Sequence, residues 1–315
     1  MEANFLKVLA DHTAGDPMRP GLKWTNLSRR LIAGQVTQMG TPVSRCTVSL
    51  LLYQHGYRRR KAVKNKVMGV HADRDKQFRN IARIKKEYLD AGLAVISIDT
   101  KKKELLGNFQ RSGAIDTQEP LVVNDHDFVK NKHGDGVVIP HGVYDLARNQ
   151  GYMRLNVTHD TTELTCDSIE AWWRDYGHKH YPGLKKLLIL CDGGGGNSAT
   201  QFIFKSDLQA LSNRIGLEIR IAHYPPYCSK YNPIEHRLFA HITHACKGIT
   251  FHTVHVAKYY MAKATTATGL SVVVDMLDKT YQTGRKYAKQ FRKNMKIIFD
   301  EHLPKWNYTA IPQTQ

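Results

Sequence analysis

The stretch LAVISIDT, Leu93–Thr100, decides the fold: from Leu93 to Ile98 only Ser97 is polar, and a carboxylate, Asp99, follows. A strand with one wet face alternates polar and apolar residues, so a nearly continuous apolar run belongs to a central strand buried on both sides. The segment LLILCD, Leu187–Asp192, repeats the pattern and again ends on an aspartate. Open α/β sheets gather ligands at the carboxyl edge of such strands, and both acids are expected there.

Outward from these two runs, further strands are expected at Glu104–Phe109, Gly142–Ala147, Tyr152–Thr158 and Leu217–Ala222. Apolar residues at helical spacing mark helices at Thr161–Tyr176, Thr200–Ile215, Pro233–Cys246 and Thr253–Thr266. Early strands, then a helix, then strand-helix-strand-helix is the order of a mixed sheet covered on both faces. The expected class is therefore α/β, with an RNase H-like layout over residues 91–315.

Residues 1–90 read differently, as helical and basic. Leu27, Leu31, Ile32, Val36 and Met39 recur at helical spacing, Gly40-Thr41-Pro42 breaks the pattern, and Val43, Val48, Leu51 and Leu52 resume it. A helix-turn-helix is expected, its second helix exposing Ser44, Arg45, Thr47 and Gln54, types that contact phosphates or base edges. The same pattern also suits plain helical packing. Next comes a basic run, Arg58, Arg59, Arg60, Lys61, Lys64 and Lys66, read as a linker contacting backbone phosphates or as a solvated face. A last amphipathic helix, Asp73–Ala91, ends at Gly92.

Bulk properties point the same way. The 315 residues hold 46 Lys plus Arg against 28 acids, a net charge of +18, and such a balance favours a polyanionic partner. Five cysteines without a C-x-x-C pair argue against a disulfide framework or a thiolate zinc site. No apolar run approaches the roughly 18 residues that span a bilayer, so a cytoplasmic, nucleoid-associated protein without a membrane partner is expected.

A third acid completes the pattern. In IAHYPPYCSKYNPIEHRLFAHI, Ile221–Ile242, a Pro-Pro turn precedes a helix whose first turn carries Glu235. Ile234 belongs to the buried stripe, and Glu235 lies about 100° from it, flanking the core within reach of the sheet edge. Any one of these acids alone would read as an ordinary strand-end or helix-start carboxylate. Together, Asp99, Asp192 and Glu235 are a hard-oxygen donor set without Cys or His in register, which suits Mg²⁺ or Mn²⁺. The chemistry that needs such a set is phosphodiester attack between two metals about 3.5–4 Å apart.

Around it, Lys101 and Lys103 are expected on the Asp99 side if the strand continues, and Lys230, Asn232 and His236 are expected to contact DNA. Gly193–Gly196 permit close backbone approach to a phosphate, but the G-x-G-x-x-G and G-K-[ST] patterns are missing. His236, His241, His244 and Cys246 lack the paired histidines of a helical zinc site.

At these residues the chain resembles the DDE transposases of bacterial insertion sequences. DTKKKE (Asp99–Glu104), GVYDLARNQG (Gly142–Gly151), HDTTE (His159–Glu163), SIEAWW (Ser168–Trp173), CDGGGGNS (Cys191–Ser198) and HYPPYCSKYNPIEHRLFAHI (His223–Ile242) are similar, in order, to the blocks of the family with the signatures DGGGSN and PPGTSKWNKIEHRLFS. The resemblance covers most of the chain, and P-P-Y-x-S-x-x-N-P-I-E is shared with the wider mariner-type superfamily. It implies that Asp99, Asp192 and Glu235 are the catalytic triad, that double-stranded DNA is the partner, and that a homodimer handles paired element ends. The chain begins later than fuller-length members, so part of an N-terminal DNA-binding region is expected to lie outside it. Two rival readings stay open: a nuclease or resolvase that cuts without joining, and a non-catalytic DNA-binding remnant.

Overall fold

The computed structural model describes residues 1–16, 19–60, 71–126, 136–194, 202–287 and 290–313. By contacts the chain divides into Met1–Lys66 and Val67–Gln315.

In the first unit, α1 (Glu2–Asp11), the hairpin β1 (Thr13–Asp16) with β2 (Arg19–Thr25), α2 (Arg29–Gln38) and α3 (Arg45–Gln54) follow one another. Ser28 and Ser44 cap α2 and α3 by accepting from Leu31 and Thr47 backbone N–H groups at 3.2 and 3.1 Å. Gly40, at φ +81°, turns the chain between the two helices. Phe5, Leu9, Ile32, Val36, Val48 and Leu51 form a small core. Sequence periodicity located α2 and α3, but not α1 or the hairpin.

The second unit opens with α4 (Arg74–Asp90), which the sequence reading grouped with the leading basic region. Its Ile81, Ile84 and Tyr88 pack with Val95 and Leu188, and this burial assigns α4 to the second unit.

The sheet is built from β3 (Ala94–Thr100), β4 (Glu104–Leu105), β5 (Val137–Asp145), β6 (Gln150–Asn156), β7 (Lys186–Cys191), β8 (Glu218–His223), β9 (Ser271–Met276), β10 (Ile297–Phe299) and β11 (Asn307–Ala310). Its spatial order is β10-β11-β8-β7-β3-β5-β6-β9, with β4 paired to β5. Strands β3, β7 and β8 run parallel, whereas β5 and β6 form an antiparallel meander beside β3. That central order, β6-β5-β3-β7-β8, is the RNase H-like arrangement.

Helices cover both faces. On one, α5 (Thr162–Trp172) and α7 (Phe202–Ile215) pack on Ile96, Ile98, Leu187 and Ile189. A π-helical turn, Trp173–Gly177, and the short α6 (His178–His180) extend α5. On the other face lie α4, a π-helical turn at Glu235–Phe239 continued by α8 (Ala240–Ala245), and α9 (Val254–Met261). The four-residue α10 (Phe291–Asn294) precedes β10. Among the described residues no helix is long and apolar enough to cross a membrane.

Candidate active site

Strand register sets the site. Ser97 lies level with Leu190 across the parallel β3–β7 pair, so two residues further on Asp99 lies level with Asp192. Adjacent strands are about 4.8 Å apart, and alternation puts both side chains on one face. It is the face of Val95 and Ser97, opposite the Ile96 and Ile98 core.

Glu235 reaches that face because its helix is tied to β3. Ser97 Oγ donates to Asn232 Oδ1 at 2.5 Å, Asn232 Nδ2 donates to the Ile98 carbonyl at 3.1 Å, and the Ile234 N–H donates to Ser97 Oγ at 3.0 Å. All three bonds are buried. Asn232 is therefore fully enclosed, not turned outward to contact DNA as the sequence reading expected. Close approach also requires glycine: a Cβ on Gly142, the cross-strand partner of Asp99, would lie 2.7 Å from Phe239 and 2.8 Å from Ile234. A Cβ on Gly151 would lie 2.3 Å from Leu238.

Asp192 is held from the opposite side. His223, fully buried on β8, contacts the Asp192 carbonyl through Nδ1 at 2.8 Å and the Tyr308 hydroxyl through Nε2 at 2.8 Å. A carbonyl can only accept, so Nδ1 carries the proton and Nε2 accepts from Tyr308. Burial lowers the His223 pKa to about 4, which keeps the ring neutral.

The electrostatics reflect crowding of like charges. Asp99 is raised to about 8, first by burial and then by the charge of Asp192, with Glu235 and Asp160 adding to it. Asp192 is raised by burial and by Asp160. Glu235 is raised by burial and by Asp192, against the lowering effect of Lys101. Asp160 accepts from Thr100 Oγ1 at 3.0 Å. Glu119 and Asp125 are exposed, and Asp127 lies outside the described residues.

These oxygen donors suit a hard divalent cation, whose charge would offset their repulsion. They are neighbours rather than a closed ligand set: among the described residues no three His, Cys, Asp or Glu side chains are gathered to hold a metal ion.

Crowding carries a pH prediction. The folded chain holds a proton on Asp99 up to about pH 8, whereas the ordinary aspartate value is 3.8. Between those values the folded state binds more protons than the unfolded one, so stability falls as pH rises from about 4 to about 8. In chelator, the thermal midpoint is expected to decline over that window, and to decline less in Asp99→Asn. Equal pH profiles for the two proteins would contradict the shift.

The cations predicted around the site divide. Strand β3 stops at Thr100, so alternation does not extend to Lys101 and Lys103: Lys101 is buried in an ion pair with Glu104, and Lys103 is exposed. Lys230 and His236 are exposed. In the first unit, Arg45, Arg58 and Arg59, together with Arg29 and Arg30, line a cleft of about 830 Å³. Arg60 is exposed, and Lys61, Lys64 and Lys66 lie outside the described residues. Arg58 is partly spent locally, donating to the Tyr53 and Tyr57 carbonyls at 2.7 and 3.0 Å. Arg29 and Arg30 escaped sequence reading because the helical pattern ranked apolar positions and ignored the first turn of α2.

Residues 4–312 match the family model of the Rhodopirellula transposase DDE domain. No curated protein matches the chain. Among solved structures, the Mos1 transposase paired-end complex with left transposon end is 15% identical over 83% of this chain and 69% of that one, with a TM-score of 0.42. The mariner Mos1 paired-end complex with Mg is 14% identical over 83% and 69%, with a TM-score of 0.44.

Proposed function

The chain belongs to the family of the Rhodopirellula transposase DDE domain, and on that premise we propose that it nicks the ends of a mobile DNA element and joins the freed 3′-hydroxyl to target DNA. The observation that carries this reading is the common level of Asp99 and Asp192 on neighbouring parallel strands, with Glu235 tied to the same strand through Asn232 and Ser97.

Asp99, Asp192 and Glu235 are the residues that would hold Mg²⁺ or Mn²⁺. When bound, the cations supply positive charge for in-line displacement at phosphorus. Ser97, Asn232 and the His223–Tyr308 pair position the three carboxylates, and Asp160 lies beside them. In the first step water attacks the phosphorus and the bond to the 3′-oxygen breaks, leaving a 3′-hydroxyl and a 5′-phosphate. In the second, that hydroxyl attacks a target phosphodiester and displaces a target 3′-oxygen. Double-stranded DNA is the substrate for both, and a homodimer would bring two ends together. Exposed Arg45, Arg59, Arg60, Lys103, Lys230 and His236 are the cations and polar groups left to contact phosphates.

The test is incubation of the protein and Mg²⁺ or Mn²⁺ with pre-cut element ends, taken from the inverted repeats flanking the reading frame, and a circular target plasmid. Joined products are expected. Cleavage without joining would favour a nuclease, and neither activity would favour a DNA-binding remnant.

A further inference from the structure

We propose that Tyr227 is a stacking platform for an unpaired nucleotide beside the carboxylate edge, an inference that rests on the DNA-processing function above. The Cys228 N–H donates to the Pro225 carbonyl at 3.2 Å and closes a four-residue turn with Pro226 and Tyr227 at its centre. Proline holds φ near about −65°, and Tyr227 follows at φ +61°. That is a type II turn, whose third position favours glycine or asparagine. A bulky residue with φ in this range is strained.

Packing does not repay the strain. Tyr227 is 67% exposed, and its side chain has no hydrogen bond or ring contact among the described residues. Cations outnumber acids around the turn. Lys230 is exposed nearby, and Arg74 is fixed next to the turn by donating to Cys228 Sγ at 3.4 Å. Arg74, Asp75 and Arg79 rim a shallow cleft with Phe78 and Tyr231, whose rings meet edge to face at 5.1 Å. The turn leads directly into the segment that carries Asn232 and Glu235.

An unpaired aromatic face set among cations matches the chemistry of a nucleotide: any base stacks on an aromatic ring, and cations track the phosphates. Inside a duplex both faces of a base are covered by its neighbours. Only a frayed or single-stranded nucleotide, of the kind strand cutting releases, has a face to offer. Tyr227 therefore distinguishes an opened end from an intact duplex.

The experiment uses the full chain with two probes, a blunt duplex and a duplex with a 3′ single-stranded overhang containing 2-aminopurine. Wild type is expected to prefer the overhang and to change its fluorescence by stacking. Tyr227→Gly suits the turn and should keep the thermal midpoint, while the overhang-to-blunt affinity ratio falls about fivefold or more and the fluorescence change disappears. Tyr227→Phe should retain both. A Tyr227→Gly protein with the wild-type ratio and fluorescence overturns the stacking role alone, as does a Tyr227→Phe protein as impaired as Tyr227→Gly. Failure of the wild type to bind either probe overturns the DNA-processing function with it.

Discussion

Asp192→Asn is expected to lower DNA cleavage and joining by about 10³-fold or more while leaving the protein, in chelator at neutral pH, more stable than wild type. The activity loss follows from removing a proposed metal ligand, because cation stabilisation of the displacement is worth several kcal/mol and each 1.36 kcal/mol is about tenfold. The stability gain follows from the electrostatics. Burial contributes most to the raised Asp99 value and Asp192 is the largest charge acting on it, so an amide at 192 relieves the repulsive part of that shift. Opposite signs for activity and stability separate a functional carboxylate from a structural one. Activity within tenfold of wild type, or a lowered thermal midpoint accompanying the loss, would refute the assignment.

Gly142→Ala is expected to lower activity by about 10²-fold and stability by roughly 1–3 kcal/mol without removing any polar group. The added methyl would meet Phe239 and Ile234 at 2.7 and 2.8 Å. Both side chains are buried, Ile234 fully and Phe239 at 4% exposed, so relief must come mainly from shifting the helical turn that contains Glu235. A displacement near 1 Å at a reacting group can cost about 10²-fold. Cleavage rate and thermal midpoint measured together test this; wild-type values of both would show that the turn has room to spare.

The central strands were legible because burial on both faces leaves an uninterrupted apolar run, as in Leu187–Cys191. Helices α5 and α7 were legible through their periodicity. Strands β10 and β11 were not, since each spans only a few residues and gains its place from a neighbour, β11 from β8 and β10 from β11, rather than from its own pattern. The π-helical turn at Glu235 has no compositional mark, and the expected Pro233–Cys246 helix hid it. Within the candidate site, the three acids stood out because they end strands or begin a helix. Their supports did not: Ser97 reads as a polar interruption in a strand, His223 as one histidine among 16, and Gly142 as an ordinary strand residue. Asn232 attracted notice for its place beside Glu235, yet only coordinates distinguish a solvent-facing amide from one sealed against β3.

The hydroxyl that holds the His223 ring at Asp192 comes from Tyr308, more than a hundred residues downstream of the aspartate. A growing polypeptide therefore emerges from the ribosome with its acidic residues already made and this latch still missing. A chain cut short between Asp192 and Tyr308 would carry the aspartate without its latch, so that completion of the site waits on more than a hundred further residues of synthesis.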